Sequence, residues 1–504
     1  MNLNNIKLFV DEHNVANLSL QSNSILINEE FINDFIEAIN FICNNKKIKG
    51  VIISSDQGKY DYDYDLNFLL SLTNAKAIFD FITKFSKTLR KLETIGKPIV
   101  SLIEGEIKLC GLEIILHSHY RIALDDSKTN FYFKNIKYSL IPSIGGSQRL
   151  PRLVGINESI NLFLSNKILS AEEALKIKLI DEIVKEKEQL INAARHYIVN
   201  NPVSLQKWDN KKIQSNKLNP FSSQNLGYFI SKNASLHANT ADHYPSVKVL
   251  ISSIYEGLNT DVNSGLKIEA RHITWLIQNI ETRSMIETTI LHKSTEKIQE
   301  DIIQKFKSSF EENYAAEGVR LLINGVSAPL IENAGKRLDF NAGPLEIADS
   351  NEIQCVINHL DSTDAAVASL IRSMQKINRN GLSNDKGFYD YKKGIKHNIW
   401  PDLINLIPPS KIQPSIEEVE TRLLYSSINN IFYNFIKHSA IKDPKICDLM
   451  LIKKIGFPFW TGGAFNWVKK YGIDFFNKKS NEYSKVFGSR FVVNPDILKI
   501  LKSF

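Results

Sequence analysis

Apolar and polar residues alternate from residue 6 to residue 20, which is the period of half-buried strands and predicts an antiparallel pair at the start of the chain. Between Phe31 and Ile42 the apolar positions change to helical spacing, and the β-branched run GVIISS at 50–55 predicts a strand. The same order recurs: helical spacing over Ala75–Leu92, then Lys97 and Pro98, then IVSLI at 99–103. Helix and strand alternating in this way predict an α/β layer fold. The stretch NFYFKNIKYSLIPSIGGSQRLPRLVG, residues 130–155, predicts a strand, a turn built on Gly145 and Gly146, and a basic helical start. Ser170 followed by Glu173, ahead of the apolar pattern ALKIKLIDEIV, is a capping box and starts another helix. From about 187 to 243 the chain is polar, rich in Asn, Ser and Lys and punctuated by Pro202, Pro220 and Pro245, and predicts a linker wrapping a surface. Residues 246–322 read as long helices. FNAGPLEIAD at 340–349 recurs as FWTGGAFNWV at 459–468, each after an apolar helical segment, so two related helical domains are expected.

Composition narrows the class. A chain of 504 residues holds about three domains at roughly 150 residues each. Hydrophobic residues at 43% and charged residues at 23% exclude a disordered or fibrous protein. The 62 Lys+Arg against 55 Asp+Glu give +7, scattered along the chain, which favours anionic ligands mildly and argues against a nucleic-acid partner. Cys43, Cys110, Cys355 and Cys447 are too far apart for a disulfide framework or a zinc site to be expected. The first residues lack the apolar core of a secretory signal, and no stretch of about 18 uncharged apolar residues follows. A cytoplasmic protein without a membrane span is expected.

The segment KPIVSLIEGEIKLCGLEIILHSHYRIALDDSKTNFYFKNIKYSLIPSIGGSQRLPRLVG, residues 97–155, resembles the crotonase family of enoyl-CoA hydratases and isomerases. LSAEEALKIKLIDEIV resembles the closing helix of that family. YPSVKVLISSIYEGL and the blocks NAGPLEIAD, NRNGLSNDKGFYDY and KKIGFPFWTGGAFNWVKKYG resemble the α-subunit family of the bacterial multifunctional fatty-acid oxidation complexes. The resemblance implies a crotonase-type α/β domain over residues 1–187, a linker with long helices over 188–300, and two all-α domains of the 3-hydroxyacyl-CoA dehydrogenase C-terminal type over 301–408 and 409–504. It implies acyl-CoA or enoyl-CoA as ligand and a thiolase β subunit as partner. One part of that pattern is missing. The family has a dinucleotide-binding domain after the linker, whose GxGxxG fingerprint needs glycine for its tight turn and for close approach to the pyrophosphate. No two glycines of this chain are separated by a single residue. No NAD site, no dehydrogenase activity and no other cofactor or metal are therefore expected.

Adding water to an enoyl thioester requires a base, an acid, and donors for the enolate oxygen. By the resemblance, LCGLE places Glu113 at the first family glutamate, and FKN at 133–135 places Asn135 at the second. Asparagine has no proton to exchange near neutral pH, a loss on the order of 10² to 10⁴ in rate. Cys110 stands at a family glycine that supplies one amide donor. YDYDYD at 60–65 stands for the other donor loop, with Tyr62 at the donor; losing one donor costs on the order of 10² to 10³ in turnover. If its carboxylates face the pocket, they repel an enolate and the CoA phosphates. Without the family, this loop reads as solvated, Glu113 as a helix-surface charge, and Cys110 as a small buried residue. His117 and His119 then read as packing or solvent-facing imidazoles without metal-ligand spacing, and GGAF at 462–465 as helix-boundary packing. Two functions stand: a degenerate β-oxidation α subunit with impaired or absent hydratase activity, or a reduced hydratase or isomerase that uses Glu113.

Overall fold

The computed structural model describes residues 1–21, 26–56, 58, 60–133, 136, 140–210, 218–291, 298–360, 364–438 and 441–504. The chain divides into two compact units, Met1–Leu236 with Tyr244–Arg283, and His237–His243 with Ser284–Phe504. The helices at 245–278, within the stretch expected as a linker, are part of the first unit.

The strands of the first unit are β1 (Ile6–Val10), β2 (Val15–Leu20), β3 (Leu26–Ile27), β4 (Gly50–Ser55), β5 (Asp63–Tyr64), β6 (Ile99–Ile103), β7 (Glu106–Ile107), β8 (Tyr120–Leu124), β9 (Asn130–Tyr132), β10 (Ile168–Ser170) and β11 (Glu182–Val184). The expected N-terminal pair forms, β1 running antiparallel to β2 with Ile6 opposite Leu20. The sheet continues in parallel in the order β1-β2-β4-β6-β8-β11. Parallel strands are covered on both faces and read as apolar runs, which is why GVIISS and IVSLI were legible. A second small sheet has the order β10-β9-β7, and β3 pairs with β5. The capping box at the start of helix Ala171–Lys176 closes as expected: the Glu173 amide donates to Ser170 Oγ at 3.2 Å, and the Ser170 amide to Glu173 Oε2 at 2.9 Å.

The polar stretch after residue 187 is not simply a linker. It contains helix Lys187–Asn200, whose Leu190, Ala194 and Ile198 pack on Val15, Ile52, Val100, Ile122 and Val184 of the sheet. Leu190, Ala194 and Ile198, four residues apart, anchor the helix, with Ile191, Ala193 and Tyr197 packed beside them; the polar stretch that follows concealed this signal. Helix Ser223–Thr240 follows. Helices Glu29–Asn44 and Ala75–Glu93 meet through Phe31, Phe35 and Phe85, with Phe85 ring centroids 5.9 and 5.3 Å from the other two. Helices Pro245–Leu258 and Val262–Gln278 form a pair that packs against Ala75–Glu93 and Gly146–Val154.

The second unit is mostly helical; its strands among the described residues are the hairpin β12 (Tyr389–Lys392) and β13 (Ile395–Ile399). Helices Glu300–Ile323, Ala328–Arg337 and Pro344–Ser350 are echoed by Ile416–Lys437, Pro444–Met450 and Ala464–Tyr471. The repeat extends to side chains. Glu332 accepts from the Leu345 amide at 2.7 Å, at the start of the third helix of the first set. Asp448 accepts from the Phe465 and Asn466 amides at 3.0 and 2.9 Å, at the corresponding start in the second. A carboxylate here satisfies amides that a helix N-terminus leaves unbonded. GGAF thus stands at a helix boundary, with Gly463 as the N-cap.

The two long helices are tied by Glu317. Its buried carboxylate receives Arg422 Nε at 2.5 Å, Arg490 Nε at 2.6 Å and Arg320 Nη1 at 3.3 Å. Burial alone would raise this carboxyl, but the three guanidinium groups hold it low, at about 2. Removing it leaves buried cations without their counter-charge, and breaking such a cluster costs on the order of 3–5 kcal/mol. Glu317→Ala is expected to destabilise the second unit by that amount, read as a lowered urea midpoint, while exposed Glu482→Ala changes it by under about 0.5 kcal/mol.

Candidate active site

Glu113 lies on helix Leu109–Ile115, which follows β7. Gly111 in that helix faces the Tyr60 carbonyl so closely that a Cβ there would overlap it. The helix therefore sits directly against the 60–65 segment. The Glu113 side chain is fully buried, and its Oε1 accepts from the amides of Ile144 and Gly146 at 2.7 and 2.8 Å.

The intervening amides point the other way. Gly145 donates to Oε1 of Glu269 at 2.6 Å, and Ser147 donates to Oε2 of Glu269 from its amide at 3.0 Å and its hydroxyl at 2.5 Å. Glu269 is fully buried on helix Val262–Gln278. Four successive amides of one turn are thus divided between two carboxylates that approach from opposite sides. Gly145 makes this possible by adopting φ 104°, a conformation that side chains resist. The turn ends in helix Gly146–Val154, where Arg149 donates to both oxygens of buried Glu93 at 3.0 and 2.6 Å.

The electrostatics follow from the partners. Burial disfavours the charged form of Glu113 and raises its carboxyl from the ordinary range, despite the amides of Ile144, Gly146 and Ser143 that favour the anion. Burial also raises Glu269, and the neighbouring charge of Glu113 raises it further. Two such carboxyls titrate as a pair. Burial would raise Glu93 as well, but Arg149 holds it at about 2. Because Glu113 Oε1 accepts two amide bonds, a proton on this group falls on Oε2.

The structure brings Glu113, Cys110 and the 60–65 segment together. Cys110 is buried on the same helix as Glu113, and burial, Asp63 and Glu113 raise its thiol well above the ordinary range, which fits a packed residue and not a nucleophile. YDYDYD is not a solvated loop throughout. Its tyrosines alternate inward: the Tyr60 hydroxyl donates to the Leu102 carbonyl at 2.8 Å, the Tyr62 ring meets Phe31 at 5.6 Å, and the Tyr64 hydroxyl accepts from Ser143 Oγ at 2.7 Å. Asp61 pairs with Lys108 at 2.6 Å, Asp63 is exposed and Asp65 caps the following helix. The aspartates therefore take the outward positions of a period-two segment, while the Tyr62 side chain is committed to the core. Asn135 lies outside the described residues.

His117 and His119 pack inside. His117 Nδ1 lies 2.8 Å from the Glu113 carbonyl, and burial with Arg149 pushes its imidazole down to about 3. Among the described residues, no group of three His, Cys, Asp or Glu is arranged to hold a metal ion, and no helix is long and apolar enough to cross a membrane. Sequence reasoning missed Glu269. Its signal was a carboxylate within an apolar stripe, on the face defined by Val262, Leu266, Ile273 and Leu276.

Residues 12–240 match the enoyl-CoA hydratase/isomerase family model. The chain is 27% identical over 315 residues to the fatty acid oxidation complex subunit alpha of Idiomarina loihiensis, covering 61% of this chain and 43% of that one. It is 28% identical over 301 residues to the subunit of the same name from Vibrio campbellii, covering 58% and 42%. The chain thus matches less than half the length of these relatives. An enoyl-CoA hydratase from Bacillus halodurans aligns at 20% identity and TM-score 0.39, over 56% of this chain and 99% of that one. The chain carries an enoyl-CoA hydratase/crotonase domain and is homologous, at low identity, to fatty acid oxidation complex α subunits.

The carboxyl pair makes stability depend on pH with a defined sign. Each group takes up a proton more readily folded, at about 7 for Glu113 and about 8 for Glu269, than unfolded, at about 4.3. Their stabilising contribution is complete below the unfolded value and is lost as pH rises through the folded values, by up to about 1.4 kcal/mol per pH unit for each proton released. The thermal midpoint of the first unit is expected to fall as pH rises from about 5 to about 8. Glu269→Gln is expected to flatten that fall; an equal slope in both proteins contradicts the coupling.

Proposed function

We propose that this chain serves fatty-acid β-oxidation as an acyl-CoA-handling relative of the α subunits, with enoyl-CoA hydratase activity impaired or absent and no 3-hydroxyacyl-CoA dehydrogenase activity. One observation carries this reading: Glu113, the glutamate matched to the family pattern, gives its Oε1 to two turn amides and faces a second buried carboxyl across that turn. Hydration needs a base for water and an acid for carbon in one step. Asn135, at the position of the second family glutamate, supplies neither. Both oxygens of Glu269 are committed to Gly145 and Ser147. Cys110 adds bulk where the family pattern has glycine, and Tyr62 stands at the other donor position with its ring against Phe31.

The repeated three-helix sets support reading 301–408 and 409–504 as two domains of the dehydrogenase C-terminal type. The absence of any GxG in the chain supports the expectation of no NAD site. A thiolase β subunit is the proposed partner, and a native pull-down without a thiolase would count against it.

A second reading has its own support. Glu113 is raised towards neutrality, where a group both takes and gives a proton, and isomerising a double bond moves only one proton. The test is turnover of crotonyl-CoA against that of a 3-enoyl-CoA. Hydration is expected on the order of 10² to 10⁴ below a fully equipped site, where median enzymes turn over about 10 times per second. Hydration at tens per second would defeat the impaired reading, and isomerisation abolished by Glu113→Gln would establish the second. Asn135→Glu is expected to raise hydration if the remaining site is competent; no gain places the block at Cys110 and the tyrosine segment. NADH formation from 3-hydroxybutyryl-CoA is expected to be undetectable.

A further inference from the structure

The geometry points to Glu269 as a positioning residue that holds Glu113 in place by gripping the opposite side of the Ile144–Ser147 turn. This rests on the reading of Glu113 as the titratable group of a crotonase-type site, and it assigns a role to a helix beyond the family-matched residues 12–240.

Three observations converge. The four amides alternate without interruption between the two carboxylates, so neither can be withdrawn without leaving buried donors unpaired. The turn is held from the Glu269 side by a wider set of contacts. Gln148 Nε2 donates to the Ser253 carbonyl at 3.0 Å, Arg152 Nη2 donates to the Gly257 carbonyl at 2.9 Å, and Ser147 and Ser253 hydroxyls lie 2.9 Å apart. Gly257 and Gly265 leave the space that Gln148 fills, since a Cβ at either would overlap its amide. Helices Pro245–Leu258 and Val262–Gln278 are thus shaped to this turn.

The third observation is electrostatic. The groups facing the pair are Cys110 on the Glu113 helix, Tyr64 on β5, and Arg149 on the turn's own helix, the last already committed to Glu93 on helix Ala75–Glu93. Tyr64 and Cys110 are themselves raised by burial and stay neutral. Arg149 is the cation that favours the ionised form of both carboxyls, and it is shared with Glu93. The pair therefore holds a proton near neutrality; the charge on Glu113 raises Glu269, while Glu269 reaches Glu113 through the turn, by keeping the amides of Ile144 and Gly146 against its Oε1.

The test reads the protonated-carboxyl stretch by difference infrared spectroscopy from about pH 4 to about pH 9 on the full chain without ligand, assigned with Glu113→Gln. In Glu269→Gln, which puts a donor where the turn needs an acceptor, the Ile144 and Gly146 amides are expected to loosen from Glu113 and its band to titrate about one pH unit or more higher, a tenfold or greater fall in its acidity. Near-ultraviolet circular dichroism reports whether the fold persists. An unshifted band overturns the proposal. If Glu269→Gln does not fold, Ser147→Ala serves: it removes the hydroxyl bond by which the turn is held to Glu269, and is expected to displace the Glu113 band in the same direction by less. No displacement there overturns the proposal too. Crotonyl-CoA binding, measured separately by calorimetry, bears on the acyl-CoA reading; its failure would sink that reading and leave the ligand-free titration to decide the role of Glu269.

Discussion

The first unit depends on a turn whose amides have no water to bond. Ile144, Gly145, Gly146 and Ser147 present four buried N–H groups in succession, and each unpaired one would cost on the order of 1–3 kcal/mol. The left-handed Gly145 splays them to two sides, so a single acceptor cannot serve all four. Two carboxylates from helices far apart in sequence do so instead. The turn is therefore finished only when helix Val262–Gln278 has docked. Sequence separation of this size makes it a non-local contact, for which loop entropy must be lost before the bonds form.

The same rule separates six of the most deeply buried acids among the described residues. Glu93 and Glu317 face guanidinium groups and are held at about 2, so they remain anions and act as fixed anchors. Glu113, Glu269, Asp349 and Asp448 face amides and hydroxyls. For these, burial wins and the carboxyls rise, Asp349 to about 7 and Asp448 to about 8. Amide dipoles favour an anion but bring no full charge to offset its desolvation. Acids of the second kind sit where backbone must be held in an irregular shape: the glycine turn, the β12 start that Asp349 bonds through Phe388 and Tyr389, and the helix start at Ala464. Charge state and structural task follow from one choice of partner.

What could be read from sequence was what depends on neighbours in sequence. The parallel strands, the capping box at Ser170 and the long helices after 245 rest on local period or a three-residue spacing, and they were legible. Helix Lys187–Asn200 escaped because its apolar positions open a longer stretch that is rich in Asn, Ser and Lys, and it gains stability from the sheet and not from itself. YDYDYD was misread because charge drew attention from its period of two. Glu269 escaped for a different reason: its partners are in the crotonase-like segment, more than a hundred residues upstream. A carboxylate on an apolar stripe announces a buried partner without saying where that partner lies.

These constraints decide what chemistry the site can support. Oε1 of Glu113 is saturated by two amides, so its proton resides on Oε2, and one proton can leave that oxygen and return to it. Glu269 holds the far side of the same turn, with its own oxygens turned to Gly145 and Ser147. On the proposed reading of Glu113 as the proton carrier, an isomerisation, which lifts a proton from one carbon and sets it on another, asks for one such group, and a hydration, which takes a proton from water while giving one to carbon, asks for two.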